Sequence, residues 1–274
     1  MLLFNDHLLP SATLPLPNRG LAFGDGFFET LVFVNGDLRY AADHLARMQQ
    51  AAAALHFALP APLATAEGLG AVLARLTTAM RLPTARLRLQ IWRAGGGRYT
   101  PLTGTAEWLL TAEPYETDAS AIDQADFALE NHTLASPLSF CKGPQAWLYV
   151  RAAYERQQRG LAEIILCNAA GQVAEAGAAA IFWLKNEELF TPALTTGCVA
   201  GVRRAHVLRT ARAHGLACHE GHFQPAELQA ADVAFTANVA ALRLIRQIGR
   251  QPMPATSALW ANLQAWEQAA YVRS

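Results

Sequence analysis

The chain has 274 residues, enough for two modest domains or one large α/β unit. With 52% hydrophobic and 16% charged residues it can bury a substantial core, and 22 basic residues balance 22 acidic ones. That balance excludes a global field recruiting nucleic acid or an acidic membrane surface, so an anionic ligand must be held by local groups, as in a small-molecule site.

In chain order, Leu2 to Phe4 and Leu8-Leu9 flank Asn5-Asp6, the pattern of a short hairpin. Asn18 to Val34 reads as a glycine-rich turn feeding a strand, with Asn35-Gly36 as a hairpin turn. Asp43 is the expected N-cap of a helix with Leu45, Met48, Ala52 and Leu55 at helical spacing. Thr65 caps a second expected helix to Met80. Arg86 to Arg93 alternates apolar and polar residues as a half-buried strand, and Trp108 to Thr111 is another. Around 114–121 the pattern lapses, which predicts a linker between a small N-terminal α/β domain (1–113) and a larger C-terminal domain (122–274).

Beyond the linker, helices are expected over Gln145 to Arg159, Gly201 to His214 and Ala255 to Tyr271. Strands are expected over Ala162 to Cys167, Ile181 to Lys185 paired with Leu189-Phe190, Asp232 to Phe235, and Leu242 to Ile248. The fold class is mixed, α/β to α+β. Cys141, Cys167, Cys198 and Cys218 follow no paired spacing, and Met1 to Phe4 lacks the basic leader of a signal peptide. No apolar run reaches about twenty residues. A cytoplasmic protein with reduced thiols and no membrane span is expected.

Three features carry candidate chemistry. Lys142 lies ahead of a helix in Ser139-Phe-Cys-Lys-Gly-Pro, and a poorly solvated lysine becomes an imine-forming amine. An exposed loop lysine is the plainer alternative. Gly197 to Arg204 opens a helix after a glycine, suited to receiving phosphate on backbone N–H groups or simply an ordinary helix start. Glu175 stands among small apolar residues, either as a buried carboxylate needing a partner or as a turn glutamate. Cys218-His-Glu-Gly-His222 lacks a second ligand pair of the zinc type, so no metal is expected. Gly95-Gly96-Gly97 lacks the Lys-Ser/Thr of a P-loop, and Gly24-Asp-Gly26 lacks the third glycine of a dinucleotide fingerprint.

In order along the chain stand Asn18-Arg-Gly, Phe23-Gly-Asp-Gly-Phe-Phe-Glu29, His44-Leu-Ala-Arg47, Arg93 to Tyr99, Lys142, Glu175, Ile181-Phe182, Thr191-Pro192 and Gly201-Val-Arg-Arg204. This order resembles the class IV aminotransferases, the fold-type IV family dependent on pyridoxal 5′-phosphate (PLP). Branched-chain and D-amino-acid aminotransferases and aminodeoxychorismate lyases belong to it. The resemblance implies a two-domain fold with a mixed, β-barrel-like C-terminal domain with helices. It implies that Lys142 is the Schiff-base and catalytic lysine and that Glu175 faces the pyridine nitrogen. Arg47, the Val202 and Arg203 amides, and Asn238 match phosphate-binding positions. Phe28, Thr30 and Arg98 match substrate-contacting ones. A homodimer acting on small amino and 2-oxo acids is the family expectation.

The chain departs from the family pattern in places. Ala179-Ala180 replace a frequent Ser-Asn, Arg203 replaces the usual Thr of the phosphate cup, and Leu244-Ile245 replace a common Pro-Val. Thr100 stands where D-amino-acid enzymes carry the His of an Arg-x-His carboxylate trap. The expected activity is transamination. A lyase yielding 4-aminobenzoate and pyruvate is the alternative, since Thr30 and the Arg93 to Tyr99 run resemble those enzymes. A family member that binds PLP without turnover is a third reading.

Overall fold

A computed structural model describes residues 1–143, 146–254 and 257–272. The chain divides into two compact units, Met1–Glu116 with Cys141–Pro144, and Thr117–Phe140 with Gln145–Ser274. Both helices and sheets are present, as the sequence predicts.

In the first unit, β1 (Leu2–Phe4) and β2 (His7–Leu9) form the opening hairpin. They are followed by α1 (Arg19–Phe23), β3 (Gly26–Val34), β4 (Asp37–Leu38), α2 (Ala41–Ala54), α3 (Ala66–Met80), β5 (Thr84–Arg93) and β6 (Ala106–Pro114). The six strands form one sheet in the order β2-β1-β6-β5-β3-β4. The Asn35-Gly36 turn has both residues at positive φ, 50° and 98°, as its hairpin geometry requires. Helix α2 contacts β3 and helix α3 contacts β5 and β6, and Met48, Ala51, Leu69, Leu73 and Leu76 of the helices are buried, as are Leu31, Leu87 and Leu89 of the sheet.

Two expectations here are corrected. Asn18 to Phe23 is a helical turn, because the Asn18 side chain accepts the Leu21 N–H at 2.9 Å and caps it. Helix α2 starts before Asp43, with Tyr40 as its N-cap, and Asp43 sits in the first turn, where a carboxylate favours the helix dipole without capping. Thr65 caps α3 as expected, accepting the Gly68 N–H at 3.1 Å.

The second unit contains β7 (Ala125–Thr133), α4 (Ala146–Gln158), β8 (Glu163–Asn168), β9 (Val173–Ala176), β10 (Ala180–Lys185) and β11 (Glu188–Pro192). Then come α5 (Val202–Ala213), β12 (Cys218–Gly221), α6 (Pro225–Gln229), β13 (Val233–Ala237), β14 (Leu242–Ile245), β15 (Gln247–Ile248), β16 (Gln251–Pro252) and α7 (Ala258–Val272). Two five-stranded sheets result, β12-β11-β10-β13-β14 and β16-β15-β7-β8-β9. Strand β10 shows why they stack. Phe182 and Leu184 point to α5 and α7, joining Val207, Phe235, Trp260 and Leu263, while Ile181 and Trp183 point to the other sheet, joining Ile165, Val173 and Ile248. Helix α4 covers the far sheet through Ala152 against Ile164 and Leu166.

Strands β7 and β9 escape the sequence pattern. Polar residues and a register shift between Phe127 and His132 break the alternation of β7, and β9 is four buried residues, three of them small or charged. The expected strand Leu242 to Ile248 divides between the two sheets at Arg246, whose N–H donates to the Ile122 carbonyl at 2.9 Å. The expected helix starts at Gln145 and Ala255 lie outside the described residues. Among the described residues no helix is long and apolar enough to cross a membrane.

Candidate active site

Strand β3 and the segment carrying Lys142 meet through backbone. The Phe28 N–H donates to the Lys142 carbonyl at 3.0 Å. Next to it, Gly143 has φ +138°, and a Cβ there would lie 2.9 Å from Phe27 Cα and 3.1 Å from the Gly26 carbonyl, so only glycine permits this approach. Lys142 is thereby seated, half-buried, at the start of β3. Burial pushes the neighbouring Cys141 thiol up to about 11, which keeps it neutral. The chain contains only one other lysine, Lys185, whose ammonium donates to the Ala230 carbonyl and lies 3.6 Å from Asp232 Oδ1.

The inward face of β3 carries Glu29 between Phe27 and Leu31, and Glu29 is 1% exposed. Arg47 and His44, three residues apart on α2, share one helix face and reach this carboxylate together. Arg47 Nε donates to Oε1 at 2.8 Å, its Nη2 donates to Oε2, and His44 Nδ1 lies 2.7 Å from Oε2. Burial pushes the Glu29 carboxyl up, but the Arg47 charge and the His44 hydrogen bond outweigh it and hold the value at about 2. Burial also pushes His44 down, with Arg47 and Lys142 adding positive charge nearby. A neutral imidazole that donates from Nδ1 follows, and Nε2 is buried with no hydrogen-bond partner among the described residues. Glu29 and His44 were not singled out for a role by sequence reasoning. The available signal was an acidic residue on the apolar parity of a strand.

Phe28 and Thr30 occupy the opposite, half-exposed face of β3. Arg88 of β5 pairs with Thr30 in register and lays its guanidinium 3.8 Å from the Phe28 ring centroid. Sequence reasoning missed Arg88, which alternates with leucines like any strand surface residue. Arg98 is exposed on the loop between β5 and β6. That loop is held by Arg19, whose Nη1 donates to the Arg98 carbonyl at 2.7 Å and the Gly96 carbonyl at 3.2 Å, and whose Nε donates to Asp25 at 2.7 Å. Phe28, Thr30, Arg47 and Lys142 are thus gathered around β3, and Arg98 stands on its own loop.

In the second unit Glu175 lies in β9 and is 4% exposed. Tyr149 Oη donates to Oε1 at 2.7 Å, and the Val199 N–H donates to Oε2 at 3.2 Å. These two donors, a phenol and an amide, orient the carboxylate. Val199 leads directly into Gly201, the N-cap of α5. This helix has no side-chain cap hydrogen bond and no acidic residue in its first turn, the kind of opening whose amides can receive an anion. Arg203 and Arg204 occupy that turn, but their side chains are engaged, Arg203 with Glu267 and Arg204 with Glu220. Arg203 Nη1 also donates to the Asn238 carbonyl at 3.3 Å, which brings Asn238 beside the helix start. The Asn238 side chain accepts from the Ala240 and Ala241 N–H groups at 3.0 and 3.1 Å, so it shapes its own turn. His219, Glu220 and His222 face different partners, Glu188, two arginines, and Gln172 with Thr195 respectively.

The chain matches the family described as Amino-transferase class IV over residues 26–248. It is 25% identical over 237 residues to the aminodeoxychorismate lyase of Vibrio harveyi, covering 84% of this chain and 85% of that protein. It is 25% identical over 240 residues to a D-alanine aminotransferase of Listeria monocytogenes, covering 85% and 82%. Among solved structures, the 4-amino-4-deoxychorismate lyase of Pseudomonas aeruginosa superposes with a TM-score of 0.86 at 24% identity, covering 98% of both chains. The branched-chain aminotransferase of Thermoproteus uzoniensis superposes with a TM-score of 0.87 at 21% identity, covering 100% of this chain and 95% of that one. A further fold neighbour, the branched-chain aminotransferase of Thermobaculum terrenum, is a PLP-bound holo form. The family is PLP-dependent and its relatives are enzymes. The chain belongs to the class IV aminotransferases.

Proposed function

We propose that this chain is a PLP-dependent aminotransferase that moves an amino group from an amino acid to a 2-oxo acid, with Lys142 as its catalytic residue. The observation that carries the reading is the seat of Lys142, one of two lysines in the chain, hydrogen-bonded through its backbone to Phe28. The other residues fit such a cofactor. Glu175 is a buried carboxylate oriented by the Tyr149 hydroxyl and the Val199 N–H, suited to hold a proton at the pyridine nitrogen. The Val202 and Arg203 amides open an uncapped helix, suited to the phosphate. Arg47, held by Glu29, and Asn238 complete the phosphate-binding set in this reading. Bound PLP supplies an aldehyde and an electron-accepting ring that stabilises charge at the substrate Cα. Lys142 holds the cofactor through its amine and moves the proton at Cα. Phe28, Thr30 and Arg98 contact the substrate, and Arg88 offers a guanidinium to its carboxylate beside them.

A lyase reading is supported by Thr30 on that same face and by the Vibrio harveyi relative. Purified protein given amino donors and 2-oxoglutarate should form glutamate. Pyruvate released from 4-amino-4-deoxychorismate without any 2-oxo acid acceptor would replace transamination by the lyase. We further propose a cytoplasmic homodimer acting on small molecules. Support comes from exposed Leu16, Leu21, Phe23, Tyr99 and Leu102 in the first unit, where the Phe23 and Tyr99 rings lie 5.8 Å apart.

A further inference from the structure

Arg203 is the second residue of α5, where a cation opposes the positive end of the helix dipole. It is kept there by Glu267, far along α7. Arg203 Nε donates to Glu267 Oε1 and Nη2 to Oε2, each at 2.9 Å, a bidentate fork with side chains 11% and 6% exposed. The third nitrogen, Nη1, donates to the Asn238 carbonyl at 3.3 Å. One guanidinium therefore ties three pieces of chain, the start of α5, the turn after β13, and α7. A second strut lies one turn along α5, where His206 Nε2 is 3.3 Å from the Glu267 carbonyl oxygen.

We infer that Glu267 is a positioning residue for the cofactor phosphate, acting through Arg203 to fix the α5 start against the Asn238 turn. This rests on the reading of those two segments as the phosphate cup. The Arg203 side chain faces α7 while its backbone N–H stays at the helix opening, so the residue serves the anion by its amide alone. Glu267 cancels the charge that would otherwise draw the guanidinium toward the phosphate and pull the two segments apart. The effect falls on the phosphate, because the Arg203 fork and its Asn238 contact lie at the α5 start and the turn after β13.

The test compares the affinity of the full-length protein for PLP and for pyridoxal, which lacks the phosphate, in wild type, Glu267→Gln, Glu267→Asp and Arg203→Met. Glu267→Gln should weaken PLP about tenfold and leave pyridoxal within about twofold, with Glu267→Asp partly restoring PLP. Arg203→Met should match Glu267→Gln, and the double variant should be no weaker than either alone, since both remove one interaction. Equal losses for PLP and pyridoxal would reduce Glu267 to a general structural residue and overturn the inference. Unchanged or tighter PLP binding by Glu267→Gln would also overturn it. Wild-type protein that fails to bind PLP would remove the cofactor reading itself, an outcome distinct from the other two.

Discussion

Arg47 grips the Glu29 carboxylate at both oxygens inside the first unit, with side chains 5% and 1% exposed. A buried pair of this kind tolerates loss of one partner poorly, because the other remains charged in an apolar setting. Glu29→Ala should therefore destabilise the protein by about 3–5 kcal/mol, measured by urea unfolding. A loss below about 1 kcal/mol would mean that water or another group replaces the carboxylate.

The same cluster predicts acid sensitivity. Glu29 falls from 4.5 to about 2 on folding, so its contribution is present above 4.5 and is lost as pH falls toward 2. His44 is lowered from 6.5, so the unfolded chain takes up its proton first and stability begins to fall as pH drops through 6.5. Unfolding free energy should decline in both ranges. His44→Gln should flatten the upper one, and a decline unchanged in that variant would assign the upper step to another group.

Lys142→Ala should abolish turnover and borohydride-stable attachment of the cofactor. Because Lys185 is the only other lysine, peptide mapping of the reduced wild-type protein has few possible answers. A label on Lys185 would move the catalytic assignment away from Lys142.

Tyr149→Phe removes the 2.7 Å hydrogen bond to Glu175 Oε1 and keeps the ring. A hydrogen bond to a charged group contributes about 1.5–3 kcal/mol, so single-turnover rates should fall at least tenfold. Unaltered rates would show that the carboxylate is oriented without the Tyr149 hydroxyl.

Arg19→Ala should loosen the loop carrying Arg98, whose carbonyl it holds at 2.7 Å. The expected result is a KM raised about tenfold with kcat changed less, and partial recovery in Arg19→Lys. An equal fall in kcat with no change in KM would separate this loop from substrate binding.

The sequence made the long regular elements legible, since α3, β5 and β10 carry strong periodicity and Thr65 a clear cap. It did not disclose β9, because four residues without alternation give no period, and that strand positions Glu175. The residues proposed for the site lie at family spacing and could be named from the sequence. Arg88 and Glu267 could not, because their partners, Phe28 and Arg203, are 60 and 64 residues away and only the folded chain brings them together. The Leu242 to Ile248 run looked like one strand because side-chain pattern is blind to which sheet a backbone joins.

Strand β3 divides its work by parity. Odd positions Phe27, Glu29 and Leu31 belong to the interior, and even positions Phe28 and Thr30 to the open face. In the proposed function, substitutions at the even positions would therefore retune what the protein accepts while the Arg47 anchor stays intact. Inserting one residue before Glu29 would do the opposite, turning the carboxylate outward and burying Thr30. This strand tolerates exchange of side chains on its open face, but hardly any change of length.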